Sequence, residues 1–119
     1  MDGVHRLHDL EAEALAFDLR RTDPAVITAA ASTVANPISR SLLRRHAFVV
    51  WLDADPAISA KRMLEGDHRP DLGREDGDAE SHVRALREER ADWFRAVADL
   101  IIDTSELTAE EVVDHILAV

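Results

Sequence analysis

Arg90 falls inside an apolar stripe, with Val83, Leu86, Trp93 and Val97 at helical spacing around it. A permanently charged side chain with five donors has to find a partner there. Two readings stay open. The long stem covers apolar surface while the guanidinium reaches water, or the planar fork points inward to receive a carboxylate or phosphate. Arg69, next to Pro70 in a polar stretch, is either a solvated loop charge or an arginine that closes over a transferring phosphate. Glu11 and Glu13 fit an acid/base pair or, more simply, the wet face of an amphipathic helix. Asp53 and Asp55 could hold magnesium through water, although capping of the next helix explains Asp55 without a metal. His5 and His8 share a helical face with no evident third ligand, and Asp76-Gly77-Asp78 lacks the remaining positions of a calcium loop and reads as a turn. No metal site is expected.

The elements that must position these groups alternate along the chain. Leu7, Leu10, Ala14 and Phe17 recur at the helical period, predicting a helix over Leu7–Arg21 that ends before Thr22-Asp23-Pro24. Ala25–Ala30, Ala47–Leu52 and Leu100–Ile102 are short apolar runs, the pattern of strands covered on both faces in a parallel sheet. Helices are expected over Ile38–Arg45, Pro56–Leu64, Glu80–Ala98 and Thr108–Leu117. Asp55-Pro56 suits an N-cap followed by proline, and Thr108 with Glu111 makes a capping box. Strand and helix in alternation predict one layered α/β domain with right-handed crossovers. Residues 65–78, with Gly66, Pro70, Gly73 and Gly77, read as a flap.

Composition narrows the partners. At 119 residues, with 46% hydrophobic and 32% charged, the chain fits a single globular domain of the usual ~100–150 residues. A net charge of −10 repels phosphate backbones and acidic lipids, and no local basic patch offsets it, so neither nucleic acid nor membrane is an expected partner. The longest apolar run, Ala47–Leu52, is far short of the ~20 residues a bilayer span needs. The amino terminus lacks the order of a signal peptide, so a cytoplasmic location is expected. There are no cysteines to form disulfides or thiolate metal sites.

Read in order, several segments resemble landmarks of the shikimate kinase family, and the resemblance covers nearly the whole chain. Leu7, His8 and Glu11 fall at the F, R and E of the family's F-R-x-x-E motif. Asn36-Pro37 with Arg40, Leu42 and Leu43 resembles the segment after the family's triple-glycine turn, which places that turn at Ala30, Ala31 and Ser32. Phe48 to Pro56 is similar to the next strand and helix start, Gly66-Asp67-His68-Arg69-Pro70 to the lid, and Ile101-Ile102-Asp103-Thr104 to the last strand, whose following loop borders the nucleotide base in the family.

The resemblance implies a P-loop-kinase-like three-layer α/β/α fold with a parallel sheet, and ATP-dependent phosphorylation of the shikimate 3-hydroxyl using magnesium. It gives Arg69 the role of the lid arginine that contacts transferring phosphate. Arg90 takes the arginine that pairs with the substrate carboxylate, and Glu11, His8, Ala30, Ala31 and Ser32 the remaining substrate contacts. Against the family pattern, no GxxGxGK(S/T) loop occurs in these residues, and Lys61, the single lysine, sits without glycines around it. The amino-terminal phosphate-loop strand is thus expected to be missing, and no residue is assigned to nucleotide.

His8 replaces a bidentate arginine with a ring that lacks the two-pronged fork, and Ala30, Ala31 and Ser32 add Cβ atoms where glycine backbone would approach a ligand. The expectation is therefore a truncated kinase-like chain, inactive alone, that binds a small carboxylate if any ligand. It would self-associate or recruit a partner chain to complete its sheet. Two alternatives stand beside it: a non-catalytic binding or regulatory module, and an intact kinase whose start lies upstream of Met1. Calorimetric titration of the 119-residue chain with magnesium-ATP is expected to show no micromolar binding, because the phosphate cradle supplies most of such a site. A micromolar isotherm would contradict this.

Overall fold

A computed structural model describes residues 2–66 and 76–119 of the chain. They form five α-helices, one 3₁₀ helix and two strands: α1 Asp2–Asp18, the 3₁₀ helix Ala31–Ala35, α2 Pro37–His46, β1 Val50–Asp53, α3 Pro56–Gly66, α4 Asp76–Val97, β2 Leu100–Asp103 and α5 Ala109–Leu117. The chain divides into two compact units, Met1–Val49 with Asp92–Asp99, and Val50–Ala91 with Leu100–Val119. No helix among the described residues is long and apolar enough to cross a membrane.

The first unit is helical. Leu15, Leu19, Val34, Leu43 and Val97 form its core, with Ile27, Leu42, Trp93 and Phe94 packed against them. Leu15 in α1 and Leu19 just past its end are one turn apart, and that face turns inward. The stripe expected to do so, Leu7, Leu10, Ala14 and Phe17, is exposed, Phe17 to 72%. Both stripes have helical spacing, and spacing alone does not say which one meets a neighbour. α2 starts where Asn36 Oδ1 accepts from the backbone N–H groups of Ile38 at 2.8 Å and Ser39 at 3.2 Å, with Pro37 in the first turn. Arg44, Arg45 and His46 sit in its last turn, where cations oppose the helix dipole.

The expected strand at Ala25–Ala30 is not formed: these residues carry no strand pairing, and Val26 is fully exposed at 102%. A strand exists only through a ladder partner, and among the described residues β1 and β2 pair solely with each other. The architecture is therefore a helix-dominated α/β arrangement with a small parallel sheet.

That sheet belongs to the second unit. β1 and β2 run parallel with Val50 opposite Leu100, Trp51 opposite Ile101, Leu52 opposite Ile102 and Asp53 opposite Asp103. Trp51 and Ile102 are buried, whereas Leu52 and Ile101 stay half exposed. The expected coverage of both faces is thus incomplete among the described residues. Immediately before the strands, Asp99 N–H donates to the Val49 carbonyl at 2.8 Å and Val49 N–H to Asp99 Oδ2 at 2.7 Å, which makes one further rung.

α5 begins with the expected capping box, Thr108 Oγ1 accepting from Glu111 N–H and Glu111 Oε1 from Thr108 N–H. Asp76-Gly77-Asp78, expected as a turn, lies within α4. α3 reaches Gly66, so helix also enters both ends of the expected 65–78 flap, and the remainder of the flap lies outside the described residues. Because one side chain satisfies two orphan amides at the start of α2, Asn36→Ala is expected to cost about 1 kcal/mol. Urea unfolding monitored by tryptophan fluorescence is the check.

Candidate functional site

Glu11 and Ser32, assigned to one site from sequence, are brought together. Ser32 Oγ donates to Glu11 Oε1 at 2.7 Å across 21 residues, from the 3₁₀ helix to α1. Ala30, before that helix, has φ −63° and ψ 137°. This is ordinary extended backbone, not the positive-φ geometry that glycine would permit. Its carbonyl accepts from Thr33 N–H at 3.0 Å and Thr33 Oγ1 at 2.7 Å. With alanine and serine side chains at these positions, the segment is a tight helical turn whose serine seats on the carboxylate. Ala31 is exposed, and His8, on α1, is exposed as well.

Arg40 belongs to the same unit and is not among the site residues expected from sequence. Its guanidinium lies over the Trp93 ring, 5.2 Å from the centroid, and its Nη1 donates to the Val34 carbonyl in the 3₁₀ helix. The i, i+4 spacing of Arg40 with Arg44 carries no hint of this, because neither contact follows from helical period.

Arg90 lies on α4, in the second unit. It is half-buried, and its Nε is buried with no hydrogen-bond partner among the described residues. An unmatched buried donor of a charged group is costly. Arg69 lies outside the described residues. Lys61 is exposed on α3, where its backbone is helical and offers no loop of free amides to phosphate.

The second unit also carries a cleft of ≈ 690 Å³ at the carboxyl ends of β1 and β2, lined by Asp53, Asp55, Arg87, Asp103, Ser105 and neighbours. Parallel sheets present ligand crevices at this end. Asp53 is held by a two-pronged bond from Arg87, Nε to Oδ1 at 2.9 Å and Nη2 to Oδ2 at 2.7 Å. That contact keeps the Asp53 carboxyl below its ordinary 3.8, against the opposing effect of burial, and raises the Arg87 guanidinium. Asp55 Oδ1 accepts from Ala57 N–H at 2.9 Å, which is the capping role.

Arg62 on α3 secures the loop after β2, donating to Thr104 Oγ1 at 3.0 Å and to the Thr104 carbonyl at 2.7 Å. Ser105 Oγ accepts from Asp55 N–H and donates to Asp103 Oδ1, and hydrogen bonds from the hydroxyl and the backbone N–H of Ser105 lower the Asp103 carboxyl. Neither Arg62 nor Arg87 is legible in the sequence as a site residue: each acts on a partner 34 or more positions away. Among the described residues, no three His, Asp or Glu side chains converge as a metal cage.

Compared with known proteins, residues 2–119 match a family model described as "Shikimate kinase". A shikimate kinase of Rhodopirellula baltica is 29% identical over 109 residues, covering 88% of this chain and 57% of that protein. One from Pelotomaculum thermopropionicum is 30% identical over 116 residues, covering 98% and 65%. One from Microcystis aeruginosa is 33% identical over 117 residues, covering 98% and 59%. The chain spans less than two thirds of the length of these relatives.

The Asp53–Arg87 pair makes stability depend on acid. A carboxyl whose folded pKa is depressed contributes stability that is present above its ordinary 3.8 and lost as pH falls through the lower folded value. With Arg87 38% and Asp53 18% exposed, solvent screening limits the expected cost of Arg87→Ala to about 1 kcal/mol at neutral pH. Denaturant unfolding of parent and Arg87→Ala between about pH 2 and pH 5 should show the difference shrinking towards acid.

Proposed function

The chain belongs to the shikimate kinase family, and on that premise we propose that it forms the substrate-side part of a fold whose whole performs ATP-dependent phosphorylation of the shikimate 3-hydroxyl. The observation that carries the reading is the Nε of Arg90, buried and without a partner among the described residues. Arginine's planar fork suits a carboxylate, and a bound carboxylate would supply the missing acceptor. In this proposal Glu11, His8 and the turn Ala30, Ala31 and Ser32 are the other substrate contacts, and Arg69 is the lid arginine.

The groups for phosphate are a poor fit. No glycine-rich loop occurs in these residues, and Lys61 sits exposed on a helix. ATP and magnesium belong to the whole fold in this reading, and no step is assigned to them. The phosphate-loop strand would join the sheet from residues other than these 119, and the chain alone would be inactive. A cytoplasmic location fits a soluble kinase of this family. A second reading, a non-catalytic module completed by a partner chain or another copy, is favoured by the two-stranded extent of the sheet among the described residues, which makes both β1 and β2 edge strands.

The test fuses the amino-terminal phosphate-loop segment of a working shikimate kinase to this chain. Magnesium-ATP binding is expected to return first. Shikimate-dependent ADP release should become substantial only after His8→Arg, Ala30→Gly, Ala31→Gly and Ser32→Gly are added, since these restore the anion fork and the backbone approach. In that repaired fusion, Arg90→Ala should weaken shikimate binding by about 1.5–3 kcal/mol, the worth of a charged hydrogen bond. Near-normal turnover in the unrepaired fusion would show that the departures at residues 8 and 30–32 do not matter. An effect of Arg90→Ala below about 0.5 kcal/mol would place the carboxylate elsewhere.

A further inference from the structure

The Ser32–Glu11 bond requires the 3₁₀ helix to hold one position against α1, and its own hydrogen bonds are a weak means of doing so. 3₁₀ geometry bonds poorly, and the helix is linked to its flanks by Thr33 N–H donating to the Ala30 carbonyl and Asn36 N–H donating to the Thr33 carbonyl. The external tie comes from Arg40. Its Nη1 reaches the Val34 carbonyl, and Val34 is a core residue, 4% exposed. The same guanidinium lies 5.2 Å from the centre of the Trp93 ring, a cation–π distance. One planar group thereby joins α2, the 3₁₀ helix and the last turns of α4. We infer that Arg40 is a positioning residue that seats Ser32 on Glu11, through its simultaneous contacts with the Val34 carbonyl and the Trp93 ring.

Arginine suits this work and lysine does not. A guanidinium can present its face to an aromatic ring while an edge N–H donates in plane, whereas an ammonium is a single point. With Ser32 seated, Glu11 Oε1 is occupied. The other carboxylate oxygen accepts no side-chain hydrogen bond among the described residues and is the one left for a ligand hydroxyl. That last step rests on the ligand role proposed for Glu11, whereas the positioning role rests on the contacts alone.

Amide hydrogen exchange of the chain tests it. Arg40→Gln is expected to lower the protection of the Thr33 and Asn36 amides about tenfold. The Leu19 amide, bonded to the Leu15 carbonyl in the same unit, should hold its protection. Ser32→Ala should lower Thr33 protection severalfold in the parent and by less than about twofold in the Arg40→Gln background, because residues acting through one contact couple. Arg40→Lys keeps the charge and loses the fork, so it should give the same local loss and covers the case in which Arg40→Gln does not fold. Equal losses at Thr33 and Leu19, or a Ser32→Ala effect of the same size in both backgrounds, overturn the proposal. Shikimate added to the same samples separates the two ideas: coupling that persists while shikimate changes nothing supports the positioning role and counts against the ligand role of Glu11 alone.

Discussion

Parallel pairing of β1 with β2 is the constraint on which the second unit depends. Parallel strands cannot be joined by a tight turn, so the intervening chain must cross over and return. Here it does so through α3 and α4. Alignment of Asp53 with Asp103 places the two following loops side by side at the carboxyl ends of the strands. The remaining polar contacts build on that alignment. Thr104 donates to the Asp53 carbonyl from both backbone and side chain, Arg62 holds Thr104 from α3, and Arg87 holds Asp53 from α4. A one-residue slip of either strand would turn its side chains to the opposite face and part Asp53 from Thr104 at once.

Much of the architecture is legible in the sequence because it is local. The capping box at Thr108, the Asp55 cap before Pro56 and the apolar runs at β1 and β2 are set by residues a few positions apart. What is not legible depends on partners distant in sequence. Ala25–Ala30 has the composition of a strand, but composition cannot provide the ladder neighbour a strand needs. α1 has two apolar stripes, and the choice of Leu15 and Leu19 over Leu7 and Phe17 is made by Val34, Leu43 and Val97, which no helical period reveals.

The candidate site divides in the same way. The phase of α4 alone singles out Arg90, since burial follows periodicity. Resemblance to a motif, and not spacing, puts Glu11 and Ser32 in one site. Arg40, Arg62 and Arg87 escape sequence reasoning because an arginine on a helix carries no mark of what its fork will reach. All but one of the 14 basic residues are arginine, and several act as multi-pronged ties between elements, a task to which the guanidinium is suited and the ammonium is not.

The rung formed by Val49 and Asp99 joins backbone positions 50 residues apart. Closing so long a loop is entropically expensive, yet the cost grows only with the logarithm of length, about 0.6 kcal/mol for each doubling. The crossover between β1 and β2 is therefore a place where descendants of this gene could gain or lose residues with little effect on the pairing itself. The same separation ties sheet formation to a slow, non-local step in folding, while α2 and α5, each begun by contacts among near neighbours, can form on a much shorter timescale.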